Sequence, residues 1–261
     1  MIRLLLVAAV APAFALLLGA VIAVSLRFGV GGGRRAVERL APVLYAATVT
    51  AAALLAAART GFDPVRLGLT DRPLPSVWPV AAATAAAVLA GGAGYFTELL
   101  LAHRAVSRPT PAPRTPRGPR HATAPAAPSA GARSLGAWTT RPRALLALGL
   151  LTALAEEVLF RGYLLTGLRG SLVLWATLTL QAAVFAVHHA SFGLRAVPAK
   201  ALHGLVWGAL AVAGGALLPA VAAHAVFQIL VCRRLTRRQE GGTADDRAHG
   251  SAAVRRPPVA G

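Results

Sequence analysis

Two adjacent carboxylates, Glu156 and Glu157, and Arg161 four residues after the second lie inside an apolar run from Ala144 to Leu168. An ionised side chain at a bilayer centre costs about 2.5 kcal/mol or more, so such groups ordinarily face a cavity and do something there. Helical residues four apart share a face, whereas neighbours diverge by about 100°. Glu157 and Arg161 are therefore expected to pair, with Glu156 pointing elsewhere. A carboxylate held by arginine is a structural ion, while its neighbour in a low-dielectric cavity can take a proton from water. Glu156 is the candidate base.

Two further apolar segments carry polar groups. In Phe185-Ala-Val-His188-His189, Phe185 and His189 share a face and His188 is rotated away, so His189 is the histidine expected at the cavity. His224 and Gln228 are again one turn apart, and an imidazole beside a carboxamide can donate two hydrogen bonds to one oxygen, as an oxyanion requires. Each feature has a packing alternative: a spare carboxylate beside an ion pair, a satisfied helix histidine, or an interhelical hydrogen bond. Together, a base, imidazoles and an amide donor on three segments are what water attack on a carbonyl needs.

These residues have to be positioned by membrane-spanning helices. The chain of 261 residues is 56% hydrophobic and only 14% charged, with a mean hydropathy of +0.61, outside the range of ordinary globular domains. Long Ala/Leu/Val runs without alternation predict helices rather than a barrel. The expected fold is an all-α polytopic transmembrane bundle of about seven spans, six to eight being compatible. Three spans (4–26, 40–57 and 77–101) make up an N-terminal unit over residues 1–103. A Pro/Arg-rich disordered linker occupies 104–142, four segments (143–168, 172–189, 198–213 and 217–232) form the site-bearing unit over 143–236, and a disordered polar tail covers 237–261. The short segment after Pro198 reads as the marginal crosser, and a cleaved signal peptide is the alternative for the first span.

The net charge of +18 comes from arginines gathered between apolar segments rather than among aromatics, which points to membrane topology and not to nucleic acid. The positive-inside rule puts linker and C-terminal tail in the cytoplasm and the N-terminus outside. The one cysteine, Cys232, excludes an internal disulfide and any multi-cysteine metal site.

Glu-Glu-Val-Leu-Phe-Arg-Gly-Tyr (156–163), Phe-x-x-x-His (185–189) and His-x-x-x-Gln (224–228), in that order on successive hydrophobic segments, resemble the CPBP family of intramembrane proteases, which includes CAAX prenyl endopeptidases and bacteriocin-immunity (Abi) proteins. The likeness covers roughly residues 143–235. It implies that Glu156 activates a water with His189, that Glu157 and Arg161 support the site, and that His224 helps bind the oxyanion. Gly204 and Gly208 fit the glycine-bearing helix of the family and suit close helix contact. Where the family usually has Asn one turn after the last histidine this chain has Gln228, whose extra methylene moves the amide by about 1 Å.

The resemblance also admits a zinc site on Glu156, His189 and His224, but no His-Glu-x-x-His helix is present and a metal-free glutamate mechanism is favoured, with no cofactor. The implied activity is an intramembrane endopeptidase acting on a membrane-embedded or membrane-anchored protein or peptide in a bacterial plasma membrane. A non-catalytic immunity or scaffold protein is the first alternative. A proton-coupled transporter is the second, disfavoured by the absence of an inverted repeat.

Overall fold

The computed structural model describes residues 2–27, 31–60, 77–107 and 130–253. The polar segment with Asp63, Pro64, Asp71 and Pro75 lies outside them, as do the linker arginines 108, 114, 117 and 120. The described elements are α1 (Ile2–Arg27), α2 (Gly31–Thr60), α3 (Val77–Ser107), α4 (Ala130–Gly136), α5 (Pro142–Glu157), a π-helical segment (Val158–Leu165), α6 (Thr166–Arg169), α7 (Leu174–His188), α8 (Val197–Gly214) and α9 (Leu218–Ala253). Because α5, the π-helical segment and α6 follow without a break, the chain forms a multi-pass bundle of seven long helical rods among the described residues.

Among the described residues, five stretches are long and apolar enough to cross a membrane: 5–25, 36–58, 77–101, 194–214 and 218–239. The segment after Pro198 is one of them. The short rod is instead α7, whose 15 residues extend only about 22 Å against a hydrocarbon core of about 30 Å. Its C-terminal residue His188 is therefore followed at once by a buried cap, His189, and by two 3₁₀ turns, Ala190–Phe192 and Leu194–Ala196. The first of these turns packs against α1 and α4. Gly193 joins them at φ 103°, a conformation that disfavours any side chain.

Ala130–Gly136, inside the expected linker, is helical, and α9 continues through the expected tail to Ala253. The physical reason is the same in both places: these stretches adjoin packed helices that nucleate or extend them, which removes the nucleation cost an isolated polar segment would face.

Side chains are distributed as lipid solvation demands. Alanines of α1, α2 and α3 are buried (Ala11, Ala52, Ala56, Ala87), while Leu17, Leu54 and Leu89 of the same helices are exposed. Small residues facing inward allow close backbone approach where lipid removes the hydrophobic drive between helices. The N-terminal helices are packed into the site-bearing half, with α2 against α5 and the π-helical segment, and α3 against α8 and α9.

α7 crosses α8 at close range. A Cβ placed on Gly204 would lie 2.8 Å from Ala182 Cα, and one on Gly208 would lie 2.9 Å from Gln181 Oε1. Since the obstacle at Gly204 is backbone, Gly204→Leu is expected to separate the two helices and destabilise the fold by about 1–3 kcal/mol or more. Thermal unfolding in detergent checks this, and an unchanged midpoint would refute the close-contact role.

Candidate active site

Glu156 and Glu157 end α5, one full helix into the bundle, and both are buried. The backbone then widens into the π-helical segment, in which Leu159 to Leu165 are all buried. An i to i+5 turn inserts one residue into the helical spacing, and that insertion brings a longer arc of side chains to the core than an α-helix presents. Arg161, on the first turn of this segment, donates from Nη1 to Glu157 Oε1 at 2.9 Å and from Nη2 to the Gly204 carbonyl at 3.4 Å. Its guanidinium also lies 4.3 Å from the Phe185 ring centroid and 5.7 Å from that of Trp207. The Phe of the Phe-x-x-x-His pattern thus forms an aromatic face for the arginine, a contact favoured by the ring quadrupole.

Glu157 holds a second partner. His224 Nδ1–H donates to Glu157 Oε1 at 2.7 Å, and Trp207 packs on the imidazole with centroids 4.6 Å apart. Glu157 therefore ties α5 both to its own next turn and to α9. Because Nδ1 is occupied, His224 Nε2 is the nitrogen left to face Glu156, at 3.8 Å from Oε2.

Glu156 is used differently at its two oxygens. Oε1 accepts from Tyr45 Oη at 2.5 Å and from His188 Nε2 at 3.2 Å, and Tyr45 Oη also lies against His188 Nε2. Oε2 is buried with no hydrogen-bond partner and is flanked by His189 Nε2 at 3.7 Å and His224 Nε2 at 3.8 Å. His189 Nδ1–H donates to the Phe185 carbonyl at 2.9 Å. In the neutral ring that bond leaves Nε2 as an acceptor.

His188 needs a correction of geometry. Helical spacing turns it away from His189, yet both imidazoles reach Glu156. His188 and His189 lie three and four residues after Phe185, and both spacings fall on one helix face, so the two rings pack on Phe160 and Phe185 beside Glu156. Helical spacing does bring His224 and Gln228 onto one cavity wall. However, Gln228 directs Nε2 towards Cys232 Sγ at 3.9 Å, one turn further on, and it packs against Gly149.

Glu156, His189, His224 and Gln228 line one cavity of about 370 Å³, together with Tyr45 and Lys200. Lys200 is buried, donates to Glu98 Oε2 at 3.0 Å and lies 4.2 Å above the Phe227 ring. Neither residue of this cross-helix pair belongs to a motif read from the sequence. Tyr45 likewise sits in an apolar run with no chemical neighbour in sequence. Zinc requires its ligands within about 2.0–2.3 Å of one point. Among the described residues no group of three or more His, Cys, Asp or Glu side chains stands out as a metal site.

Residues 138–230 match the family model described as type II CAAX prenyl endopeptidase Rce1-like. No curated protein and no solved structure matches the chain. The match begins at the turn before α5 and ends within α9, and it encloses every motif residue from Glu156 to Gln228. Over residues 138–230 the chain is thus similar to the type II CAAX prenyl endopeptidase Rce1-like family.

Proposed function

We propose that this protein is an intramembrane endopeptidase that hydrolyses a peptide bond of a membrane-anchored substrate with a water activated by Glu156. One observation carries the reading: Glu156 Oε2 is buried and unpartnered, 3.7 Å from His189 Nε2 and 3.8 Å from His224 Nε2. Polar atoms separated by more than about 3.5 Å are spaced for a bridging water. A water there donates one hydrogen to Oε2 and the other to His189 Nε2, which leaves its oxygen lone pair directed into the cavity.

Attack on the scissile carbonyl forms the carbon–oxygen bond as the water proton passes to Glu156 Oε2. The oxyanion accepts from His224 Nε2–H when that ring carries both protons, a state that Glu157 supports through Nδ1. With His224 charged, Glu156 and Glu157 balance Arg161 and His224, so the buried quartet is neutral, which limits the desolvation cost of the individual charges. Collapse of the intermediate breaks the carbon–nitrogen bond, and the amine leaves with the proton held by Glu156. Gln228 supplies a second donor only if its amide turns from Cys232.

The family description makes a prenylated peptide the first substrate class to test. Arginine distribution favours a cytoplasmic C-terminus in a bacterial plasma membrane. The test uses purified protein in lipid vesicles, with a prenylated and an acyl-anchored peptide as substrates and product termini read by mass spectrometry. His189→Ala and His224→Ala are each expected to lower turnover about 100-fold or more, while a zinc chelator leaves wild-type turnover unchanged. Full turnover by both variants would remove the protease reading, and loss of turnover on chelation would transfer water activation to a metal.

A further inference from the structure

We infer that Tyr45, on α2 and 93 residues before the first residue of the matched domain, is a positioning residue of the active site, so that the catalytic centre is completed by the N-terminal helices. The inference rests on the function proposed above, because the group that Tyr45 positions is the Glu156 carboxylate.

A carboxylate on a glutamate has three side-chain torsions and two equivalent oxygens, and only one geometry puts a free oxygen between His189 and His224. Tyr45 Oη donates to Oε1 at 2.5 Å from the cavity side. His188 reaches the same oxygen at 3.2 Å, its ring tilted at 41° to that of Tyr45 with centroids 5.3 Å apart and T-shaped to Phe160 on its other side. Two donors on Oε1 leave Oε2 alone opposite the two catalytic imidazoles. Without the hydroxyl the carboxylate keeps one donor, the His188 contact, which is the longer of the two.

The position of Tyr45 depends on α2 docking against α5 and the π-helical segment, a packing made by small buried residues on the same helix, Ala46, Val49 and Ala52. Tyr45 is half-buried and lines the cavity. The hydrogen bond is charge-assisted, the class of bond that is shortest and strongest in proteins.

Tyr45→Phe in the full chain removes the oxygen and keeps the ring. The expected result is a fall in kcat of about 10- to 100-fold with KM little changed, since misplacing a reacting group by about 1 Å can cost that much. Leu44→Ala, at a lipid-exposed neighbour on α2, should keep wild-type kcat and separates the hydroxyl from general packing of the helix. Glu156→Gln is run beside them. If Glu156→Gln is inactive and Tyr45→Phe retains wild-type kcat, the positioning role is overturned while the proposed chemistry stands. An active Glu156→Gln would instead remove the reading on which the inference rests. A Tyr45→Phe variant with raised KM and unchanged kcat would make Tyr45 a substrate contact and also overturn it.

Discussion

Glu156→Gln is expected to reduce kcat by about 10²- to 10⁴-fold, the range ordinarily supplied by a general base, with the fold retained. The substitution is nearly isosteric, and the amide oxygen can still accept from Tyr45 and His188, so the contacts that seat the side chain survive. What disappears is the free oxygen between His189 and His224. An amide nitrogen turned to that position would donate to the bridging water and cannot take its proton. Single-turnover measurement with a vesicle-bound peptide separates this loss from slower product release. A variant that is inactive because it is unfolded would show an altered thermal midpoint, and one that cleaves normally would exclude Glu156 as base.

The largest expected effect on stability is at Arg161. Its side chain is fully buried, bonded to Glu157 and the Gly204 carbonyl and stacked on Phe185. Arg161→Met leaves the buried Glu157 charge without its guanidinium partner, and removing one member of a buried pair typically costs about 3–5 kcal/mol. Loss of folded protein from detergent extracts, or a sharply lowered thermal midpoint, is the predicted outcome. The double variant Glu157→Gln/Arg161→Met should recover much of that stability, because replacing both partners removes the uncompensated charge. It should not recover activity, because His224 then lacks the carboxylate that orients its imidazole. Equal destabilisation by the single and double variants would show that the Phe185 and Gly204 contacts, rather than the ion pair, govern the effect.

Much of this centre is legible in the chain itself. Charge inside an apolar run identifies Glu156, Glu157 and Arg161, and a four-residue spacing correctly pairs the latter two, because the salt bridge lies within one turn of a single helix. The same argument mispositions His188. Three- and four-residue spacings both fall on one helix face, so the 100° between neighbours does not keep His188 out of the site. Span limits are also readable, since hydrocarbon thickness imposes a length, but α7 shows that a functional helix can stop short of it. The helical stretch Ala130–Gly136 escapes a compositional reading because its order comes from neighbours on α1 and α2 rather than from its own propensity.

By itself, the sequence determined the all-helical membrane architecture, the order of the motifs and the pairing of Glu157 with Arg161. Each of these follows from local hydropathy and from contacts within one or two turns. Only the tertiary structure decided which oxygen of Glu156 is free, that Glu157 orients His224 across 67 residues, and that Tyr45 reaches Glu156 across 111. Those outcomes depend on how separate helices cross and how a π-helical turn rotates their faces, and no periodicity within a single segment encodes the register between two of them.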